Sequence, residues 1–168
     1  MSERRLLVGT RALFSSVLLT VLAFSASAIF AADMFAGIWK MNIAKSTGGI
    51  ATTNTTQILS VGNGIRLVGD SVNSAGIKSH LEFTAQFDSK DYPFNQMLDG
   101  KLITDGNDKI SAKKIDDYTV EVTRKRHDDV LAVIKMVVSK DAKTMTSTVT
   151  GTDPQGDPFS STTIFEKQ

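Results

Sequence analysis

Ile77-Lys78-Ser79-His80-Leu81-Glu82-Phe83-Thr84-Ala85-Gln86-Phe87 is the stretch that decides the class of fold. Ile77, Leu81, Phe83, Ala85 and Phe87 share one parity, with Ser79 as its one polar member, while Lys78, His80, Glu82, Thr84 and Gln86 fill the other. A backbone whose side chains alternate every two residues turns these sets to opposite faces, one against a core and one against water. A helix at 3.6 residues per turn would scatter the same aromatics around its circumference. Residues 77–87 are therefore read as a strand.

The same pattern extends in both directions. Tyr118, Val120 and Val122 alternate with Thr119, Glu121 and Thr123 after a turn at Asp116-Asp117. Strands are expected at 130–138 after His127-Asp128-Asp129, at 145–149 after Lys140-Asp141-Ala142-Lys143, and at 159–165 after Asp153-Pro154-Gln155-Gly156. These read as hairpins in series. Upstream, 38–43, a Thr-rich run at 52–61 and 65–72 read as strands divided by Gly48-Gly49 and Gly62-Asn63-Gly64. Shorter pieces at 92–97 and 109–115 bring the number to about ten, at the regular spacing of a sandwich or barrel. Between residues 98 and 108, Asp99-Gly100 and Asp105-Gly106-Asn107-Asp108 suggest either two turns or one mobile loop. No helical period, linker or repeat interrupts the series, so one domain is expected over 33–168.

The N-terminus carries a different signal. Arg4, Arg5 and Arg11 precede an apolar run over 12–24, and Ala26-Ser27-Ala28 offers the small residues of a signal-peptidase site. Residues 1–28 are expected to be a cleaved signal peptide, since thirteen apolar residues fall short of a helix that spans a bilayer. Arg4-Arg5 leaves the twin-arginine route open beside the general one. A periplasmic or secreted protein with no retained membrane anchor follows. With no cysteine in the chain, neither a lipidated cysteine nor a disulfide is available, and the core alone must hold the fold.

Charge excludes some partners. Taking three of the 19 basic residues and one of the 18 acidic ones away with residues 1–28 leaves a net charge of −1. Nucleic acid and anionic lipid need a concentrated basic face, which is absent. The one basic run, Arg124-Lys125-Arg126-His127, is followed by Asp128-Asp129.

Phe35-Ala36-Gly37-Ile38-Trp39-Lys40-Met41 resembles the Phe-x-Gly-x-Trp-Lys-Leu opening of the calycin superfamily, which includes lipocalins and intracellular fatty-acid-binding proteins, and Ile164-Phe165-Glu166-Lys167 looks like the Thr-Tyr-Glu-Lys ending of the latter. The chain is also similar to uncharacterised exported bacterial proteins that begin Gly-x-Trp-Lys-x-Asn and end near Lys-Gln. The resemblance implies an all-β fold: a single antiparallel, lipocalin-like up-and-down barrel of about eight to ten strands, with Trp39 as a structural plug at the closed end. Two departures stand out. The Arg-x-Tyr pair that holds a ligand carboxylate in fatty-acid-binding proteins is matched here by Thr163 and Phe165, and the polar stretch after Ile43 is too short for their helical lid.

A barrel of this size holds side chains or one small ligand. Inward parity puts Phe83, Phe87, Tyr118, Val122, Arg124, Ile134, Met136, Met145, Phe159, Thr163 and Phe165 around the interior, where they would line a pocket or simply pack as a core. Arg124 continues the parity of Tyr118, Val120 and Val122. It therefore either points inward as an anchor for an acidic head group or snorkels into solvent beside Lys125 and Arg126. On strand 130–138 the outward parity is also apolar at Leu131, Val133 and Val137, which fits a protein partner, a homodimer or cover by a loop.

An enzyme is not expected. His80 lies on the wet parity of its strand and His127 in a turn, and no nucleophile-elbow pattern occurs. Zinc lacks ligands, and Asp105-x-Asn107 starts like a calcium loop that Lys109 spoils. No metal or cofactor is expected. The leading expectation is a carrier or binder of a small hydrophobic or amphipathic molecule, against an envelope interaction or structural module with a filled core.

Overall fold

The computed structural model describes residues 34–153 and 155–168; the expected signal peptide and Pro154 lie outside them. Eleven strands follow in order: β1 (Gly37–Met41), β2 (Ala51–Ser60), β3 (Gly64–Asn73), β4 (Lys78–Gln86), β5 (Asp91–Leu98), β6 (Lys101–Leu102), β7 (Asp108–Asp116), β8 (Thr119–Arg126), β9 (Asp129–Val138), β10 (Thr144–Thr152) and β11 (Pro158–Lys167). All but β6 make a closed ring in which each strand is hydrogen-bonded antiparallel to the next, with β4 joined to β5 and β11 to β1. An antiparallel meander can return to its first strand only with an even number of members, and the ring has ten.

The expected strands all occur, with two refinements. Ile43 leaves the sheet and starts a single 3-10 turn, Ile43–Lys45, capped by the Asn42 side chain on the Lys45 N–H. Residues 98–108 fold as two turns rather than one loop, with the two-residue β6 lying along the end of β5 between them. That excursion weakens one seam. β5 pairs with β7 only through Asp91, Tyr92 and Pro93 before it turns to β6, and Pro93 has no N–H to offer the ladder.

The barrel has two unlike ends. One is filled by Phe35, Trp39, Ile58, Ile65, Ala85, Val120, Val138 and Met145, all buried. Trp39 has no exposed surface and its indole N–H donates to the Phe35 carbonyl at 2.7 Å, while the Lys167 ammonium sits 5.1 Å from the ring centroid. Gly37 has φ +141°, and a Cβ there would lie 2.5 Å from Lys167 Cε. Only glycine adopts that backbone readily. At the other end the turns carry exposed apolar residues, among them Ile43, Ile50, Ile77 and Val130.

Candidate functional site

The filled end does not occupy the whole barrel. Beyond Met145 and Phe165 the interior opens into a cavity of about 300 Å³ that reaches toward the other end. Nine of the eleven residues read as inward line it: Phe83, Val122, Arg124, Ile134, Met136, Met145, Phe159, Thr163 and Phe165. Phe87 and Tyr118 do not. Phe87 packs against the filled end and Tyr118 sits in the turn ahead of β8, beyond the plug, where alternation no longer faces open space. Trp39 belongs to the plug and stays out of the cavity.

Space inside the barrel is made by small side chains at inward positions. Gly69 on β3 has room for a Cβ at ordinary distance, 3.4 Å from the Leu81 side chain and 3.6 Å from Thr56 Oγ1. Any larger residue there would extend into the cavity that Gly69, Leu81 and Thr56 line together. Near the mouth, Phe159 lies against Gly151, where an added Cβ would come within 2.9 Å of its ring.

The lining is mixed in chemistry. Leu67, Phe83, Phe94, Ile110, Met136 and Met145 form an apolar floor and wall, and Asn54, Ser71, Ser147 and Thr163 add polar groups. Thr56 Oγ1 donates to Asn54 Oδ1 at 3.0 Å.

The charged part of the lining is at the junction of β7 and β8. Alternation along β8 does carry Arg124 inward, opposite Ile110 on β7 and Ala132 on β9. Its guanidinium lies 4.7 Å from the Phe94 ring centroid and its side chain keeps 26% of its surface. Arg124 thus lies in the cavity lining, and the basic run splits by parity. Lys125 points outward and pairs with Asp91 at 2.8 Å, while Arg126 points inward to Asp108, its partner across the ladder.

Asp108 has no exposed side-chain surface. Arg126 Nε and Nη2 lie 3.1 to 3.3 Å from its two carboxylate oxygens, and the Asp105 N–H donates to Oδ2 at 3.2 Å. Arg124 Nη2 stands at 3.8 Å from Oδ1, an ion-pair distance too long for a hydrogen bond. Arg124 Nε is buried with no hydrogen-bond partner. Burial holds the Arg124 pKa below the usual guanidinium value, Asp108 opposing this and Arg126 adding to it; the group stays charged.

Sequence reading missed Asp108 and Arg126. Read alone, Asp108 falls in an Asp-Gly-Asn-Asp turn and Arg126 in a short basic run ahead of Asp128-Asp129. A signal existed: Asp108, Ile110 and Ala112 share the parity opposite to Lys109 and Lys113, and a hairpin that pairs Ile110 with Arg124 must pair Asp108 with Arg126. Leu67, Phe94, Ile110 and the polar Asn54, Ser71 and Ser147 were also missed, because they lie on strands whose apolar alternation is broken.

The two histidines stand apart from this site. His80 Nδ1 lies 2.8 Å from Asp70 Oδ1 on the outer wall, and His127 has φ +55° in the β8–β9 turn. Among the described residues no group of three or more His, Cys, Asp or Glu is gathered for a metal. On the outer face of β9, Lys135 interrupts the apolar series Leu131, Val133 and Val137, and Glu121 lies across from it. Neither protein-family models nor curated proteins match this chain.

Proposed function

We propose that this protein is an exported barrel that binds or carries a small apolar or amphipathic molecule in its interior. The observation that carries the reading is the cavity of about 300 Å³, closed at one end by the Trp39 plug and lined by both apolar side chains and a guanidinium. Pockets of roughly 300 to 1,000 Å³, mostly apolar with a few convergent polar groups, are the usual form of small-molecule sites. A core that existed only for stability would close around Met136 and Met145, since such side chains fill gaps well. Inward Gly69 and Ala132 keep the space open instead.

Export rests on the basic start, apolar run and Ala26-Ser27-Ala28 of the N-terminus, and it places the carrier in the periplasm or outside the cell. The ten-stranded closed meander is consistent with a calycin-like barrel, in which interior ligand binding recurs. No catalytic role is assigned. The outer strip on β9 supports the interaction-module alternative less well, because Lys135 divides it; a charge at Val133 would then leave any complex intact.

The test is to fill the interior. Gly69→Leu adds a side chain into the cavity at a position with ordinary backbone geometry. Binding of the fluorescent probe 1-anilinonaphthalene-8-sulfonate is expected to drop at least tenfold in that variant while circular dichroism stays unchanged. Equal probe binding by the two proteins would remove the interior from the account.

A further inference from the structure

Among the residues that line the cavity, Arg124 is the one charged side chain. Two guanidiniums, Arg124 and Arg126, face one carboxylate, Asp108, and the carboxylate is already engaged by Arg126 and by the Asp105 N–H. Asp108 and Arg126 are the charges that act on Arg124, the carboxylate favouring its charged form and the second guanidinium opposing it. Asp105, in its exposed turn, acts on Arg126 and His127. Arg124 is left with a full charge, a face stacked on Phe94 at 4.7 Å and a buried Nε–H with no acceptor.

The Arg124 side chain keeps part of its surface and lines the cavity, and an anion there would make a charge-assisted hydrogen bond with it. A guanidinium has five donors in a rigid plane that matches the two oxygens of a carboxylate. Phe94 fixes that plane from one side, so Arg124 is held ready rather than free to swing.

Resting on the carrier reading, we infer that the ligand of this cavity is a compact amphiphile with a single negative charge, its carboxylate-type head set on Arg124 at the β7–β8 wall and its apolar body lying toward Met136, Met145 and Phe165. One negative charge matches the one guanidinium in the lining, and a cavity of about 300 Å³ limits the body to a short chain or a small ring system. Arg126 is paired with Asp108 and does not line the cavity, so the head meets Arg124 alone. The head position is distinct from Thr163 and Phe165 on β11, which contribute no charge.

The experiment is a calorimetric titration of the purified protein with three probes that share one tail, octanoate, octanol and octylamine. Octanoate is expected to bind at least tenfold more tightly than octanol, and octylamine more weakly than either. In Arg124→Met, octanoate is expected to lose its preference over octanol, and Arg124→Lys should restore part of that preference. Arg124→Gln serves as a second removal of charge should the methionine variant fail to fold. Octanol binding as tightly as octanoate in the natural protein would overturn the inference and leave the carrier reading standing. Binding of none of the three would overturn both.

Discussion

Trp39→Phe isolates the plug from the rest of the barrel, because it keeps an aromatic ring at a fully buried site and removes one hydrogen bond with part of the volume. The Phe35 carbonyl loses the indole donor that lies 2.7 Å away, and an orphaned buried polar group costs about 1–3 kcal/mol. The smaller ring leaves roughly 40 Å³ unfilled, which at about 24 cal/mol per Å³ adds about 1 kcal/mol. A loss of about 2–4 kcal/mol is expected in urea unfolding followed by circular dichroism, with an unchanged slope. The cavity lies beyond Met145, so affinity for an interior probe at low denaturant should change less than threefold. A stability loss under about 0.5 kcal/mol would refute the claim that the closed end is held by this contact, and a large loss of probe affinity in a folded variant would refute the separation of plug from cavity.

Three further outcomes are expected. Asp108→Ala leaves Arg126 facing Arg124 without their shared carboxylate; breaking a buried pair costs about 3–5 kcal/mol, reduced here to about 2–3 kcal/mol because Arg126 is 43% exposed, and chemical unfolding will measure it. Gly37→Ala forces a side chain into φ +141° beside Lys167 and should cost about 1–3 kcal/mol by the same assay. Stability should fall in acid: hydrogen bonds, chiefly from turn backbone N–H groups at Asp88, Asp105 and Asp116, from the Ser139 hydroxyl at Asp141 and from Asn42 at Glu166, hold these carboxyl groups below their ordinary values. The unfolded chain then binds more protons, so their contribution is complete above the unfolded values near pH 4 and is lost as pH falls through the lower folded ones. Urea midpoints at pH 3 and pH 7 test this, and Glu166→Gln should reduce the difference.

Alternation made most of the barrel readable. Residues 77–87 announce β4 because one face is wet and the other packed, and each hairpin after Asp116 repeats that contrast. Closure was harder to see, since it depends on β4 meeting β5 across Phe83 and Phe94, a contact between strands that any two-sheet packing would also have allowed. β6 escaped because two residues are too few to show a period. Within the site, Arg124 was legible as an inward position, yet its neighbourhood was not. Lys125 and Arg126 look alike in sequence, and only the ladder sends one to Asp91 outside and the other to Asp108 inside. The polar lining at Asn54, Ser71 and Ser147 breaks the apolar alternation for the same reason that it matters: a strand facing a ligand space has no need to be uniformly apolar.

The central claim is that the barrel interior is a ligand site. Native mass spectrometry of protein purified gently from its source, followed by solvent extraction of what accompanies it, tests this most directly. The account predicts a one-to-one adduct of a small anionic amphiphile, absent from Gly69→Leu. A clean mass of the polypeptide alone, together with no uptake of octanoate or octanol by the natural protein, would contradict it and make the interior a packing space.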